Sequence, residues 1–240
     1  MRLRLRTGPA ALFGAMLLVA LIVFLPLRLV LGMVGVDDLG LSARRAGGTI
    51  WGGSLTEARV GALALGDLEA RLSPWALLVG QARIAIEGAG TVPGRGIAGA
   101  VTMTRHGFGV DELSAALAAG PLFQPVPVTT LDFDQVSIAF ADGECRRAEG
   151  RVRATLGPGP AGLALPPQVA GAIRCDAGAL LVPLTGQAGA EAVTLRIGGD
   201  GRYRAELTLP AGDPAVAERL AALGFVQGPG GWRLAAEGRF

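Results

Sequence analysis

The 240-residue sequence has no lysine, one histidine (His106), two cysteines (Cys145 and Cys175) and one tyrosine, and aromatics make up 5% of the chain. One His and two Cys cannot fill the tetrahedral shell of a zinc site. His106 stands between Arg105 and Gly107 with no serine or cysteine motif beside it, so nothing marks it as a general base. Ser54, in Gly53-Ser-Leu, does not sit in a nucleophile elbow. Gly94-Arg-Gly-Ile-Ala-Gly99 spells the dinucleotide pattern G-x-G-x-x-G, but that mechanism needs a helix opening at the glycines, and Ala100 to Arg105 alternates as a strand. Asp132 and Asp134 can share a strand face, yet two carboxylates supply too few oxygens for a cation and read as a solvated face. The sequence therefore offers no catalytic, cofactor-binding or metal-binding residues.

Excess charge is missing as well. The formal net charge is +2 and the pI about 8.9, with every positive charge an arginine, a composition bias without functional content. Taking Arg2, Arg4, Arg6 and Arg28 from the twenty-two arginines leaves eighteen against twenty acidic residues, so the chain beyond its N-terminal region is slightly acidic. A nucleic-acid partner, which needs a basic face interleaved with aromatics, is excluded on that ground.

What the sequence does have is an uncharged stretch of twenty-one residues, Thr7 to Leu27, behind Arg2, Arg4 and Arg6. A helix needs about 20 mainly apolar residues to cross a hydrocarbon core of about 30 Å, and Ala10 to Leu31 has that length. Arg28 falls near the far end, where it can snorkel to the headgroups, and transmembrane helices tolerate a proline such as Pro26. The three leading arginines place the N-terminus in the cytoplasm by the positive-inside rule. A cleaved signal peptide is the rival reading, but its apolar region is shorter, and Leu29 to Val36 offers no Ala-x-Ala site. The expected organisation is a cytoplasmic tip (1–9), a single transmembrane helix acting as signal anchor (10–31), a linker (32–47) and a β-rich periplasmic domain (48–240). A division of that domain into two sub-units near 120–127 is left open.

Beyond the anchor, apolar residues alternate with polar ones in short runs broken by glycine-containing turns, the pattern of a mainly β, twisted antiparallel sheet with a few short helices. Strands are expected between Gly48 and Leu72, at Arg83–Glu87 and at Ile97–Arg105, with a Gly/Pro-rich turn from Gly88 to Gly96. Ser73-Pro74 caps a helical turn running from Trp75 to Val79. Asp111–Ala119, with Leu113 and Leu117 on one side, predicts an amphipathic helix. Val128–Phe140 and Arg146–Leu156 form a hairpin through Asp142-Gly143, and a bulge at Asp134-Gln135 reconciles the two apolar registers of the first strand. Gly157–Gly162 reads as a loop and Val169–Arg174 and Ala179–Leu184 as strands. Val193, Leu195 and Ile197 face Tyr203, Ala205 and Leu207 across a turn at Gly198–Gly201. A helix starts at Asp213-Pro214 with Val216, Leu220 and Leu223 inward and Gly224 as its C-cap, and Gly231 to Phe240 is the last strand.

Cys145 and Cys175 lie thirty residues apart in a segment expected outside the cytoplasm, where an oxidising compartment favours a disulfide. Two free buried thiols are the alternative. Their similar contexts, Cys145-Arg-Arg-Ala-Glu-Gly and Cys175-Asp-Ala-Gly, suit two adjacent strands.

Several phrases in a fixed order, Gly48-Thr-Ile-Trp-Gly-Gly-Ser-Leu55, Leu63-Ala-Leu-Gly-Asp67, Leu72-Ser-Pro-Trp-Ala-Leu-Leu78, Leu220-Ala-Ala-Leu-Gly-Phe225 and Gly231-Trp-Arg-Leu234, resemble the type II secretion system protein N family, as does the single N-terminal span. The resemblance is weakest from Gly88 to Pro127. It implies a non-enzymatic accessory component of the inner membrane in Gram-negative bacteria, whose partners are other secretion subunits and the secretin complex. It also implies an architecture related to AsmA-type proteins, which handle envelope lipids. Two functions from different classes follow: an assembly subunit that makes contacts through open strand edges or an apolar patch, and a lipid-binding protein that shields acyl chains on a concave apolar face.

Overall fold

In the computed structural model, the described residues are 9–27, 41–61, 63–119, 123–124, 126–158, 165–186, 189, 192–210, 214–228 and 230–239. Arg2, Arg4, Arg6, Arg28, Asp213 and most of the loop expected at Gly157–Gly162 lie outside them.

Helix α1 (Pro9–Val23) carries no charged residue. It ends well before the expected Leu31, and Pro26 supplies the reason. Proline has no N–H to donate and its ring clashes with the carbonyl four residues back. The chain leaves the helix there and joins the β structure: Pro26 bridges Thr49, and the Ile50 N–H donates to the Leu25 carbonyl at 3.1 Å. Among the described residues no helix is long and apolar enough to cross a membrane.

The rest is mainly β. Strands β1 (Leu41–Ser42), β2 (Arg45–Thr49), β3 (Gly52–Val60), β4 (Leu63–Leu72), β5 (Ala82–Val92), β6 (Arg95–Met103), β7 (Gly107–Ala118), β8 (Val128–Ala141), β9 (Glu144–Leu156), β10 (Gln168–Ala172), β11 (Arg174–Asp176), β12 (Ala179–Thr185), β13 (Ala192–Ile197), β14 (Arg202–Leu209), β15 (Val226–Gly228) and β16 (Gly231–Arg239) form one antiparallel sheet. Neighbours in sequence are mostly neighbours in the sheet, which runs β1-β3-β4-β5-β6-β7-β8-β9-β10-β12-β13-β14-β16-β15, with β2 on β3 and β11 on β12. Among the described residues two short helices interrupt it, α2 (Pro74–Leu78) and α3 (Pro214–Ala222).

Cross-strand register puts apolar side chains on one face. Leu55 pairs with Leu68, Ala70 with Ile86, Ile84 with Val101 and Val101 with Val110. Leu117 pairs with Leu131, and Leu131 with Ala154. Farther along, Val193 pairs with Leu207, Leu195 with Ala205 and Ile197 with Tyr203, as the alternation of that hairpin predicts. Two buried clusters occupy this face. One involves Leu55, Ala58, Leu68, Ile97, Ala115 and Leu117, the other runs from Ala119 to Ala236, and the half-buried Leu113 and Phe133 touch both. In the second cluster Phe123, from the β7–β8 connection, meets Tyr203 of β14 edge-on at 5.7 Å between ring centroids. That contact closes the apolar face over the C-terminal strands.

Four expectations are corrected here. The segment expected as a helix at Asp111–Ala119 is extended instead, and Asp111–Ala118 forms the C-terminal part of β7. Leu113 and Leu117 share one face in a strand as in a helix, and the pairing of β7 with β6 and β8 decides between the two periods. Strand β5 runs on to Val92, which shrinks the expected turn at Gly88–Gly96 to Pro93-Gly94. Ser73 precedes α2 but makes no capping hydrogen bond through its side chain. Leu223 lies past the end of α3 and is 38% exposed, whereas Leu220 is buried and Gly224 has the left-handed φ of +88° expected of a C-cap. The side chain of Val216 is outside the described set.

Bulges keep the apolar face in register over such long strands. The expected irregularity at Asp134-Gln135 is present: pairing jumps from Asp134–Arg151 to Ser137–Glu149, and Gln135 has φ +51°. Glu112 in β7 and Glu57 in β3 have the same left-handed backbone. Each of these strained N–H groups donates to a side chain on the adjacent strand: Glu57 to Asp67 Oδ1 at 2.9 Å, Glu112 to Ser137 Oγ at 3.0 Å and Gln135 to Ser114 Oγ at 3.3 Å. Strands β7 and β8 thus hold each other's bulges. Gly150 faces the β8 bulge with φ +115°, and a Cβ there would lie 2.6 Å from both the Gln135 carbonyl oxygen and Val136 Cα.

Gly150→Ala is expected to destabilise the chain by about 2 kcal/mol or more, from backbone strain plus the clash. Ser137→Ala, which leaves the Glu112 N–H without its acceptor, should cost about 1 kcal/mol. Denaturant unfolding of each variant checks both values, and an unchanged midpoint for Gly150→Ala contradicts the bulge assignment.

Candidate functional site

The residues considered for chemistry do not come together. His106 is in the β6–β7 turn, with its side chain 79% exposed and Nδ1 3.7 Å from Asp142 Oδ1. Asp132 accepts from the Arg95 guanidinium, and Asp134 is exposed opposite Arg151. Gly94 forms a hairpin turn, and Arg95 to Gly99 lie in β6, so no helix starts at the glycine pattern. Ser54 is exposed in β3. Among the described residues no group of three or more His, Cys, Asp or Glu could hold a metal ion.

Instead, the polar face carries cross-strand ion pairs. Arg83 Nη1 donates to Asp111 Oδ2 at 3.0 Å, and Thr102 Oγ1 donates to the same oxygen at 2.9 Å. Arg196 Nη1 donates to Asp176 Oδ2 at 2.7 Å, and Arg204 Nη1 to Glu237 Oε1 at 2.8 Å. The arginines in these pairs are well exposed, so each pair contributes little stability, and together they make a solvated outer surface.

Cys145 and Cys175 form a disulfide, with their Cα atoms 5.5 Å apart. Cys145 opens β9 on the apolar face, next to Phe140, and its N–H donates to the Gly178 carbonyl at 2.8 Å. Strand β11 therefore runs alongside the start of β9, as the similar contexts of the two cysteines suggest. The bond ties that corner of the sheet and closes a loop with a sequence separation of 30.

Two surfaces remain uncovered among the described residues. The first is an open edge. Beyond its pairing with β15 at Gly231–Arg233, β16 continues from Leu234 to Arg239 with β14 on one side and, among the described residues, no strand on the other. Its outward positions Arg233, Ala235, Glu237 and Arg239 are exposed. Charges on an edge discourage indiscriminate pairing while leaving the backbone available to a matched strand.

The second is an apolar end of the sheet. In α2 and just after it, Trp75, Leu78 and Val79 are 78%, 77% and 71% exposed. Met103 and Phe108, at the ends of β6 and β7, are also exposed, and Phe108 stacks on Phe140 at 5.1 Å. Sequence reading located the helical turn but not that its apolar side chains are left uncovered. The available signal was the absence of charge from Leu72 to Ala82, between Arg71 and Arg83, in a stretch too short to bury itself.

The family model described as "Type II secretion system (T2SS), protein N" matches residues 39–235. The Type II secretion system protein N of Vibrio cholerae serotype O1 (strain ATCC 39315 / El Tor Inaba N16961) is 30% identical over 154 residues, covering 60% of each chain. The chain thus spans about 60% of the length of that curated relative. No solved structure matches.

Replacing both cysteines by alanine is expected to lower stability by about 2–4 kcal/mol, the usual range for a loop of this size. Unfolding of wild type with and without reductant, beside the double variant, checks this. Equal stability in all three samples contradicts a structural role for the bond.

Proposed function

The chain belongs to the type II secretion system protein N family, and from that premise we propose that it is a non-enzymatic inner-membrane accessory of the secretion machinery. Its work is assembly and contact with other secretion subunits, including the secretin complex. The family match over 39–235 carries this reading. The proposed organisation is a cytoplasmic tip at 1–9, an anchoring segment within 10–31 that ends where Leu25 and Pro26 join the sheet, a linker, and a periplasmic β domain that takes in β1 and β2 ahead of residue 48. Helix α1 supports the anchor. It is apolar on every side, and Leu12, Phe13, Met16, Leu18 and Leu21 are all more than half exposed, a surface that water does not stabilise but lipid does. At about 1.5 Å per residue the fifteen residues of α1 reach about 22 Å, most of a hydrocarbon core of about 30 Å.

The contact surface proposed for partner subunits is the open edge of β16, where a strand from a partner adds to the sheet through main-chain hydrogen bonds. Alternate outward side chains along the open part, Ala235, Glu237 and Arg239, then select the partner.

A second reading has one observation in its favour. On the apolar face of the N-terminal half, Leu72, Ile84, Ile86 and Val101 are only half buried, in contrast to the fully covered Val169, Leu180 and Leu207 of the C-terminal half. Acyl chains would cover the open half, giving an envelope lipid-binding protein of AsmA-like type. Phospholipid retained in stoichiometric amount by the purified full chain through detergent exchange supports this reading, and its complete loss counts against it.

The secretory role is tested by deleting the gene and following exoproteins and the secretin complex. The expected result is exoprotein retained in the periplasm, with secretion restored by the wild-type gene. A photo-crosslinking residue at Glu237 should capture a secretion subunit while one at Glu87, on the polar face of β5, does not. Unchanged secretion and unchanged secretin assembly would sink the proposal.

A further inference from the structure

We infer that the sheet has a second, monotopic attachment to the membrane: the α2 turn, with Trp75, Leu77, Leu78 and Val79, inserts into the lipid interface beside the anchor. The inference rests on the anchored reading of α1. It starts from topology. The junction of α1 with the sheet is at the β2–β3 turn, where Pro26 bridges Thr49 and the Ile50 N–H meets the Leu25 carbonyl. Leu27 packs so closely over Gly53 that a Cβ on that glycine would collide with Leu27 Cδ2. Gly53 pairs with Ala70, and α2 begins only a few residues farther along, after Leu72. Along the same end Leu72 pairs with Ile84, Ile84 with Val101, and Met103 with Phe108. The anchor junction, α2 and the exposed Met103 and Phe108 therefore share one end of the ladder, the end drawn to the bilayer by α1.

The chemistry of that end fits a lipid interface. The helical turn buries none of its own residues, and Leu77 is 42% exposed beside the more exposed Trp75, Leu78 and Val79. Short loops in water do not hold four large apolar side chains outward without something to cover them. Tryptophan, with an apolar ring body and one N–H donor, prefers the headgroup level of a bilayer. The turn is fixed at both ends. Pro74 sets its first residue, the Ser73 N–H donates to the Arg83 carbonyl at 2.9 Å, and Gly80 turns the chain back with φ +75°. The nearby cations are already matched, Arg71 by Glu69 and Arg83 by Asp111, and His106 lies near Asp142. Arg105, exposed in the β6–β7 turn, can face the headgroups. With little free positive charge, insertion is driven by apolar burial, and neutral phosphatidylcholine suffices.

With both attachments in place, the sheet is held at two points of one end, which fixes its orientation to the membrane. The half-open apolar face with Met103 and Phe108 at its lip then opens against the bilayer.

The test uses the full chain in phosphatidylcholine vesicles whose acyl chains carry bromine, a short-range quencher of tryptophan fluorescence. Wild type, Trp75→Phe and Leu78→Glu/Val79→Glu are compared by flotation and by emission. All three substituted side chains are exposed, so the variants should fold, which circular dichroism verifies. The expected result is that all three proteins float, that Trp75→Phe lowers lipid-dependent quenching to the part that Trp51, in the β2–β3 turn at the anchor junction, supplies, and that the double glutamate variant falls to the same residual level while its emission shifts to the red. Raising salt should leave the wild-type signal in place. If the proteins float but Trp75→Phe is quenched as strongly as wild type, α2 is outside the bilayer and a protein partner covers it. That result overturns the inference and leaves the anchor standing. If wild type does not float, the anchored reading and this inference fail together.

Discussion

The structure depends on a ladder of antiparallel hydrogen bonds that must keep the buried apolar side chains on one face across the sixteen described strands. Because side chains alternate with a period of two, a slip of one residue in any pairing would turn a strand's apolar residues to water. Strands as long as β8 and β9, with 14 and 13 residues, also twist and cannot stay in step with their neighbours without correction. The bulges at Glu57, Glu112 and Gln135 make that correction. Their left-handed backbones are unfavourable alone, and they persist because a carboxylate or hydroxyl on the neighbouring strand receives each N–H. Gly150 leaves room for one of them. The apolar face is thus continuous from Leu55 to Ala236 because of a few polar contacts at its irregular points.

The two halves use this face differently. In the C-terminal half, Phe123, Tyr203, Leu220, Phe225 and Trp232 close over it, and the disulfide between Cys145 and Cys175 ties its corner. In the N-terminal half the same face remains partly open, and its free end carries the apolar turn α2 and the junction with α1. The polar face opposite carries ion pairs exposed to water.

Alternation and turn chemistry made much of this legible beforehand. The hairpin at Asp142-Gly143, the facing sets Val193–Leu195–Ile197 and Tyr203–Ala205–Leu207, and the alternating last strand follow from period two between glycine-containing turns. Even the bulge at Gln135 could be located, because Leu131 and Phe133 alternate out of step with Val136, Ile138 and Phe140. Asp111–Ala119 was not legible: alanine favours helices, and a spacing of four serves both periods, so only the neighbouring strands decide. The end of α1 was misplaced because hydropathy counts apolar residues without asking where they are used, and Leu25 to Leu27 are used by the sheet. The candidate contact surfaces were the least legible part. An open strand edge and an uncovered turn are properties of what fails to pack against them, which no local pattern records.

The central claim is that the apolar N-terminal segment holds the sheet on the periplasmic face of the inner membrane. Alkaline carbonate extraction of cell envelopes, combined with protease treatment after opening the outer membrane, tests it most directly. The account predicts that the chain stays in the membrane pellet and that its β domain becomes accessible to protease only once the outer membrane is opened. Release of the full-length chain into the carbonate supernatant, or protection of the β domain in opened cells, would contradict it.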